Sequence, residues 1–146
     1  RQKKIPGAGQ LHDYVNLYFD AHNPMLSKRR DKNNEICILR LDPEVLNIEG
    51  VIIADCNAAS TYAKFLTVKE GIASLDKEQV YARYWNHENY YEKIQHASIK
   101  CAEVLVPDCI PAELIKGIYV VNDIAQNKVS LLNIPLPVVI NNGIFF

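Results

Sequence analysis

The chain has 146 residues, 49% apolar and 23% charged, with a net charge of −1 at neutral pH. That length suits a single domain with a real core, and the near-zero charge excludes a global electrostatic drive toward nucleic acid. No apolar run approaches the ~20 residues of a membrane-spanning helix and no signal-peptide pattern is present, so a cytoplasmic protein without a membrane segment is expected.

In chain order, RQKKIPGAGQ (1–10) is basic and then Gly/Pro-rich, a loop pattern. LHDYVNLYF (11–19) is aromatic and β-branched, with apolar positions at Leu11, Val15, Leu17 and Phe19, which predicts a strand or short extended segment. Asn23-Pro24 marks a turn and SKRRDKNN (27–34) a charged loop. EICILRL (35–41) predicts a strand, followed by a short helix from Asp42-Pro43, where aspartate caps and proline suits the first turn. Val51 to Ala54 predicts a buried strand. Thr67 to His96 turns helical: Val68, Ile72 and Leu75 fall at helical spacing, as do Val80 and Tyr84, then Tyr91 and Ile94 in a following helix. After a strand at 101–106, the pattern gives a short helix begun at Pro111, a strand from Gly117 to Val121, and a helix starting at Asn122 or Asp123. A last strand, Val138 to Ile140, enters Ile144-Phe145-Phe146 through a turn relieved by Gly143. Helices and strands mix without a βαβ rhythm, which argues for an α+β fold.

SIKCAEVLVP (98–107) holds the residue that invites a chemical reading. Alternate side chains of a strand share a face, so Ala102, Val104 and Val106 point one way and Glu103 and Leu105 the other. On a covered face, Glu103 costs several kcal/mol of desolvation (about 2–7 for a polar group) unless partners satisfy it. A charge is worth that cost where it steadies a cation formed during a reaction. Taken by itself, the strand has a plainer reading, with its glutamate on the wet face.

Other features carry less. GAG (7–9) is not a phosphate-binding G-x-G-x-x-G and follows no strand, and no flanking motif supports a Ser or Cys nucleophile paired with histidine. Cys37, Cys56, Cys101 and Cys109 show no C-x-x-C pairing and no metal-ligand spacing with the histidines, so reduced thiols and no metal are expected. His12, His22, His87 and His96 read as surface or hydrogen-bonded side chains. Tyr81, Tyr84, Trp85, Tyr90 and Tyr91 have a base-stacking reading, against which packing in the core and at helix rims is the expectation. Lys28, Arg29, Arg30 and Lys32 read alone as a solvated loop, with phosphate contact as the functional alternative.

Together the motifs go further. LHDYVNLYF-x-x-x-NPM (11–25), ICILRLDPEVL (36–46), ARYW (82–85) and SIKCAEVLVP, in register over nearly the whole chain, resemble the DarT family. These are bacterial DNA ADP-ribosyltransferase toxins, each paired with a macrodomain antitoxin. The resemblance implies an ADP-ribosyltransferase fold, two small β-sheets around an NAD cleft with flanking helices. It implies transfer of ADP-ribose from NAD, used as co-substrate without a metal, onto a base of single-stranded DNA, commonly thymidine. The family's catalytic glutamate falls on Glu103. Its tyrosine and methionine of the nicotinamide and base pocket fall on Tyr18 and Met25, with His22 in the same NAD-binding stretch, and a substrate-facing loop position falls on Asn57. Lys28, Arg29 and Arg30 gain weight as DNA contacts, and the basic start adds Arg1. The family's opening NAD-gripping block would precede residue 1, so the expectation is one domain over 1–146 with a truncated start. Two alternatives stay open: an inactive or truncated member acting as a binding module, and an ADP-ribosyltransferase with a target other than DNA.

Overall fold

A computed structural model describes residues 3–146, and the expectation attached to Arg1 lies outside them. The strand expected over 11–19 is shorter: a 3-10 turn takes Leu11–Asp13, and β1 is Tyr14–Tyr18. Asn23-Pro24 opens a helix instead of a turn. The Asn23 side chain accepts from the N–H groups of Met25 and Leu26 and Pro24 takes the first position, which makes α1 (Pro24–Ser27). Most of the expected charged loop is a 3-10 segment, Arg30–Glu35. Strand β2 (Ile38–Leu41) starts later than the pattern predicts, and Asp42 caps the expected short helix, a 3-10 one over Pro43–Asn47.

Strand β3 (Ile52–Ala54) lies where the apolar run places it. Strand β4 (Phe65–Thr67) is three residues long, too short to show an alternating pattern. The helical stretch from Thr67 breaks into three. A Thr67/Glu70 capping box starts α2 (Val68–Ser74), Asp76 caps α3 (Lys77–Val80), and Asn89 caps α4 (Tyr90–Ile99). Tyr84 therefore sits in the connection before α4. Strand β5 (Glu103–Pro107) and a 3-10 turn over Ala112–Leu114 lead to β6 (Ile115–Val120), α5 (Asp123–Ser130) capped by Asn122, and β7 (Val138–Ile140). Gly143 lies in a 3-10 turn, Asn142–Ile144; Gly7 and Gly50 are the glycines with positive φ, so the final turn does not need glycine for its backbone.

These elements build two sheets, β1-β5-β3-β4 and β2-β6-β7. The first is antiparallel throughout, with β5 inside it, and Glu103 faces Tyr18 on one neighbour and Ala54 on the other. In the second, β6 runs antiparallel to β2 and parallel to β7, joined by a crossover through α5. The alternation of β5 decides the core. Val104 and Val106 join Ile53, Val15 and Leu17 against Val45, Val51 and Val68. Leu105 takes the other face with Ala54 under Ile5, Leu11 and Ala58.

Helix α2 lies against β3 so closely that a Cβ on Gly71 would stand 2.3 Å from Cβ of the fully buried Ile53. No flexible side-chain tip is there to yield. Gly71→Ala is expected to lose stability in urea unfolding: overpacking costs about 1–3 kcal/mol, against the ~1 kcal/mol that alanine gains in helix propensity. An equal or more stable variant would show that α2 slides freely over β3.

Candidate active site

Glu103 is 4% exposed, so the wet-face reading of its strand fails. The turn that follows β3 covers it. Its Oε1 accepts the Ala58 N–H at 2.8 Å and its Oε2 accepts Nδ2 of Asn16 at 2.5 Å. Each oxygen thus has a donor, which offsets the desolvation cost and fixes the plane of the carboxylate. Asn16 escaped the sequence reading, although a signal was present: it is a polar residue on the same face of β1 as Tyr14 and Tyr18, inside an otherwise apolar strand.

The covering turn is itself held from several sides. The Asn57 N–H donates to the Ser98 carbonyl at 2.9 Å, and Asn57 Oδ1 accepts the Ala59 N–H at 2.9 Å. Lys3 Nζ donates to the Ala58 carbonyl at 3.0 Å and to the Ser60 carbonyl, and lies 4.8 Å from the centre of the Phe65 ring. The sequence reading saw Lys3 only as part of a basic start. In the structure it clamps the turn that supplies a donor to Glu103.

Beside this turn opens a cleft of about 560 Å³, lined among others by Met25, Lys28, Asn57, Trp85, Ser98 and Cys101. It brings together three of the expected site residues: Met25, Lys28 and Asn57. Glu103 lies one layer behind this lining, next to the wall where Ala58 follows Asn57, and Tyr18 stands opposite it across the β1–β5 register. Arg29 and Arg30 are exposed outside the lining, and Arg29 Nη1 reaches back to the sulfur and carbonyl of Met25. His22 is buried away from the cleft lining. Its ring stacks on Phe146 with centroids 4.0 Å apart and meets the edge of Trp85 at 6.0 Å. Its Nδ1 lies 2.8 Å from the Ile144 carbonyl, which can only accept, so Nδ1 carries the hydrogen.

An ion pair between a buried lysine and a partly exposed aspartate fixes the approach to both sides of the site. Lys100, fully buried at the end of α4, meets Asp20 and donates to the Val80 carbonyl at 2.8 Å. Asp20 in turn accepts the His22 N–H at 3.0 Å, and its carbonyl accepts Nδ2 of Asn23, the cap of α1, at 2.8 Å. The exit of β1, the end of α3 and the entry to β5 are therefore one hydrogen-bonded unit.

Within the aromatic cluster Trp85 is half-buried against His22 and Phe146, but the tyrosines do not pack in the core. Tyr81 and Tyr84 are exposed because the chain leaves helical geometry between α3 and α4, and Tyr90 and Tyr91 are exposed on the first turn of α4. His96 is buried, with Nδ1 2.8 Å from Nε2 of His87 and Nε2 3.0 Å from the Gln79 carbonyl. All four cysteines are free, and among the described residues no group of three or more His, Cys, Asp or Glu side chains could hold a metal. Burial pushes the Cys101 thiol up to about 11 and raises that of Cys56, so neither is a nucleophile near neutral pH.

With this geometry in place, comparison with known proteins decides the family. The model of the single-stranded DNA thymidine ADP-ribosyltransferase DarT matches residues 1–146. The chain belongs to the DarT family. It is 31% identical to a DNA ADP-ribosyl transferase of Thermus aquaticus over 88% of this chain and 59% of that protein. It is 30% identical to a DNA ADP-ribosyl transferase–DNA ADP-ribosyl glycohydrolase fusion protein of Thermosipho africanus, over 93% of this chain and 35% of that one. The chain therefore spans 35% to 59% of the length of these relatives. Solved structures of the Thermus sp. 2.9 DarT, one with NAD+ and one with ADP-ribosylated single-stranded DNA, superpose with a TM-score of 0.79. They are 24% identical to this chain, cover 99% of it, and are themselves covered over 78% and 74%. The expected α+β, ADP-ribosyltransferase-like fold with two small sheets and flanking helices is the fold of this DarT-family chain.

Two expectations follow from the site. Lys3→Met should speed amide hydrogen exchange at Ala58 roughly tenfold or more, in keeping with the ~1.5–3 kcal/mol of a charge-assisted hydrogen bond. Unchanged exchange would mean that the turn is held from elsewhere. Iodoacetamide at about pH 8 should label the exposed Cys37 and Cys109 and spare Cys56 and Cys101 until the protein is unfolded, because both are buried and burial raises both thiols, that of Cys101 to about 11. Mass spectrometry of the alkylated peptides checks this, and native labelling of Cys101 would contradict its burial.

Proposed function

We propose that this chain carries NAD-dependent transfer of ADP-ribose onto a base, thymidine, of single-stranded DNA. The observation that carries the reading is Glu103: a carboxylate on the internal strand of the sheet, buried, with a donor on each oxygen and placed behind a cleft, in a chain of the DarT family. The Thermus structures with NAD+ and with ADP-ribosylated DNA support both substrates.

The residues present fit NAD. A volume of about 560 Å³ lies within the usual range for such ligands. Met25 and Trp85 offer apolar surface for a ring. Tyr18 gives a ring face against nicotinamide. His22 serves the NAD side from behind by fixing the position of Trp85. Asn57, Lys28, Arg29 and Arg30 lie on the DNA side of this reading. Glu103 stabilises the positive charge that develops at the anomeric carbon as the bond to nicotinamide breaks. It then takes the proton that the base nitrogen loses as the new nitrogen–carbon bond forms.

The toxin role and a macrodomain antitoxin partner belong to the same reading, supported by the Thermosipho africanus fusion of a transferase with a glycohydrolase. So does a cytoplasmic location, where NAD and DNA meet; no helix among the described residues is long and apolar enough to cross a membrane.

Mass spectrometry of a mixed-sequence single-stranded DNA incubated with NAD and the protein tests this. The wild type should give an ADP-ribose adduct on thymidine, and Glu103→Gln should lower its rate by at least about a hundredfold. An adduct that survives the substitution overturns the role of Glu103. No adduct from the wild type overturns the DNA reading.

A further inference from the structure

Helix α4 carries an apolar stripe that ends in the cleft. Tyr90, Ile94 and Ala97 follow each other at spacings of four and three, so they lie on one face one above the other, and Tyr91 and Ser98 form the adjoining row. Ala97 and Ser98 line the cleft, whereas Tyr90, Tyr91 and Ile94 are 69%, 80% and 50% exposed. The two tyrosine rings meet edge to face with centroids 6.0 Å apart. At a rise of 1.5 Å per residue, Tyr90 stands about 10 Å from Ala97 along the helix.

We propose that this stripe is a stacking track for the nucleotides flanking the target, carrying a single strand of DNA out of the cleft along α4; the proposal rests on the DNA reading above. The occupant follows from three features. The stripe is continuous with the cleft in which that reading seats the target. Its exposed residues are mainly aromatic, and aromatic rings are what unstacked bases stack on, whereas a duplex hides its base faces. Its charges suit a polyanion: Lys93 lies beside the stripe on the helix and Lys28 lines the cleft, while Glu92 points to the other side, 3.8 Å from His87.

The test measures binding of two oligonucleotides by fluorescence anisotropy. Both carry one target thymidine; one has normal flanking nucleotides, the other abasic flanks that keep every phosphate. Tyr90→Ala with Tyr91→Ala is expected to weaken binding of the normal oligonucleotide about tenfold and to leave the abasic-flanked one unchanged, while Tyr90→Phe with Tyr91→Phe binds both as the wild type does. Equal weakening of both oligonucleotides, or no weakening of either, overturns the track. A wild type that modifies the target thymidine while the alanine variant binds normally overturns the track alone. A wild type that neither binds nor modifies DNA overturns the track together with the DNA reading.

Discussion

A carboxylate under the surface of a small sheet has to be met by donors, and most of the site can be understood as the means of meeting Glu103. One donor comes from the side chain of Asn16 on the neighbouring strand and the other from the backbone of Ala58. The strand pairing fixes the first, since Asn16 sits diagonally across the β1–β5 ladder from Glu103. The second depends on a loop, and loops of this kind are soft unless tied. Lys3 and the Ser98 carbonyl tie it from two distant parts of the chain, and the Asn57 side chain ties it from within.

The same logic governs the other wall. Met25 lines the cleft because α1 is held where it is, and α1 is held by its cap, Asn23, whose amide is bonded to Asp20 beside the buried ammonium of Lys100. A lysine with no exposure costs more to bury than a salt bridge at the surface returns, so it is better understood as fixing geometry than as adding stability. Lys100 stands three residues before Glu103. The constraint on the wall and the constraint on the carboxylate therefore share one stretch of backbone.

How much of this could be read in advance depended on the range of the interaction. Caps at Asp42, Thr67 and Asn122 are local, and the helices or turns they start are where the sequence places them. The alternation of Glu103 and Leu105 with Val104 and Val106 was equally legible. What the chain could not disclose locally was cover: whether the Glu103 face was wet depended on Ala58 and Ile5, far away in sequence. The tyrosines failed for a related reason. Val80 and Tyr84 stand at helical spacing, but α3 ends at Val80, so Tyr84 left the face of Val80 and ended in solvent. Asn23-Pro24 misled in the opposite direction, as the signal for a turn is also the signal for a capped helix.

Strand order also has a temporal side. β1 is an edge strand that pairs with β5, and the bond from Asn16 to Glu103 closes a sequence separation of 87 residues. Pairings of such high contact order are late events in folding, because the loop entropy is spent before the contact rewards it. As the chain emerges from a ribosome, β3 can pair with β4 at once, but β1 waits for the strand that lies between it and β3. That strand brings the glutamate. Glu103 therefore meets Asn16 only when β5 joins the sheet, and the buried carboxylate and the pairing of β1 are completed in one step.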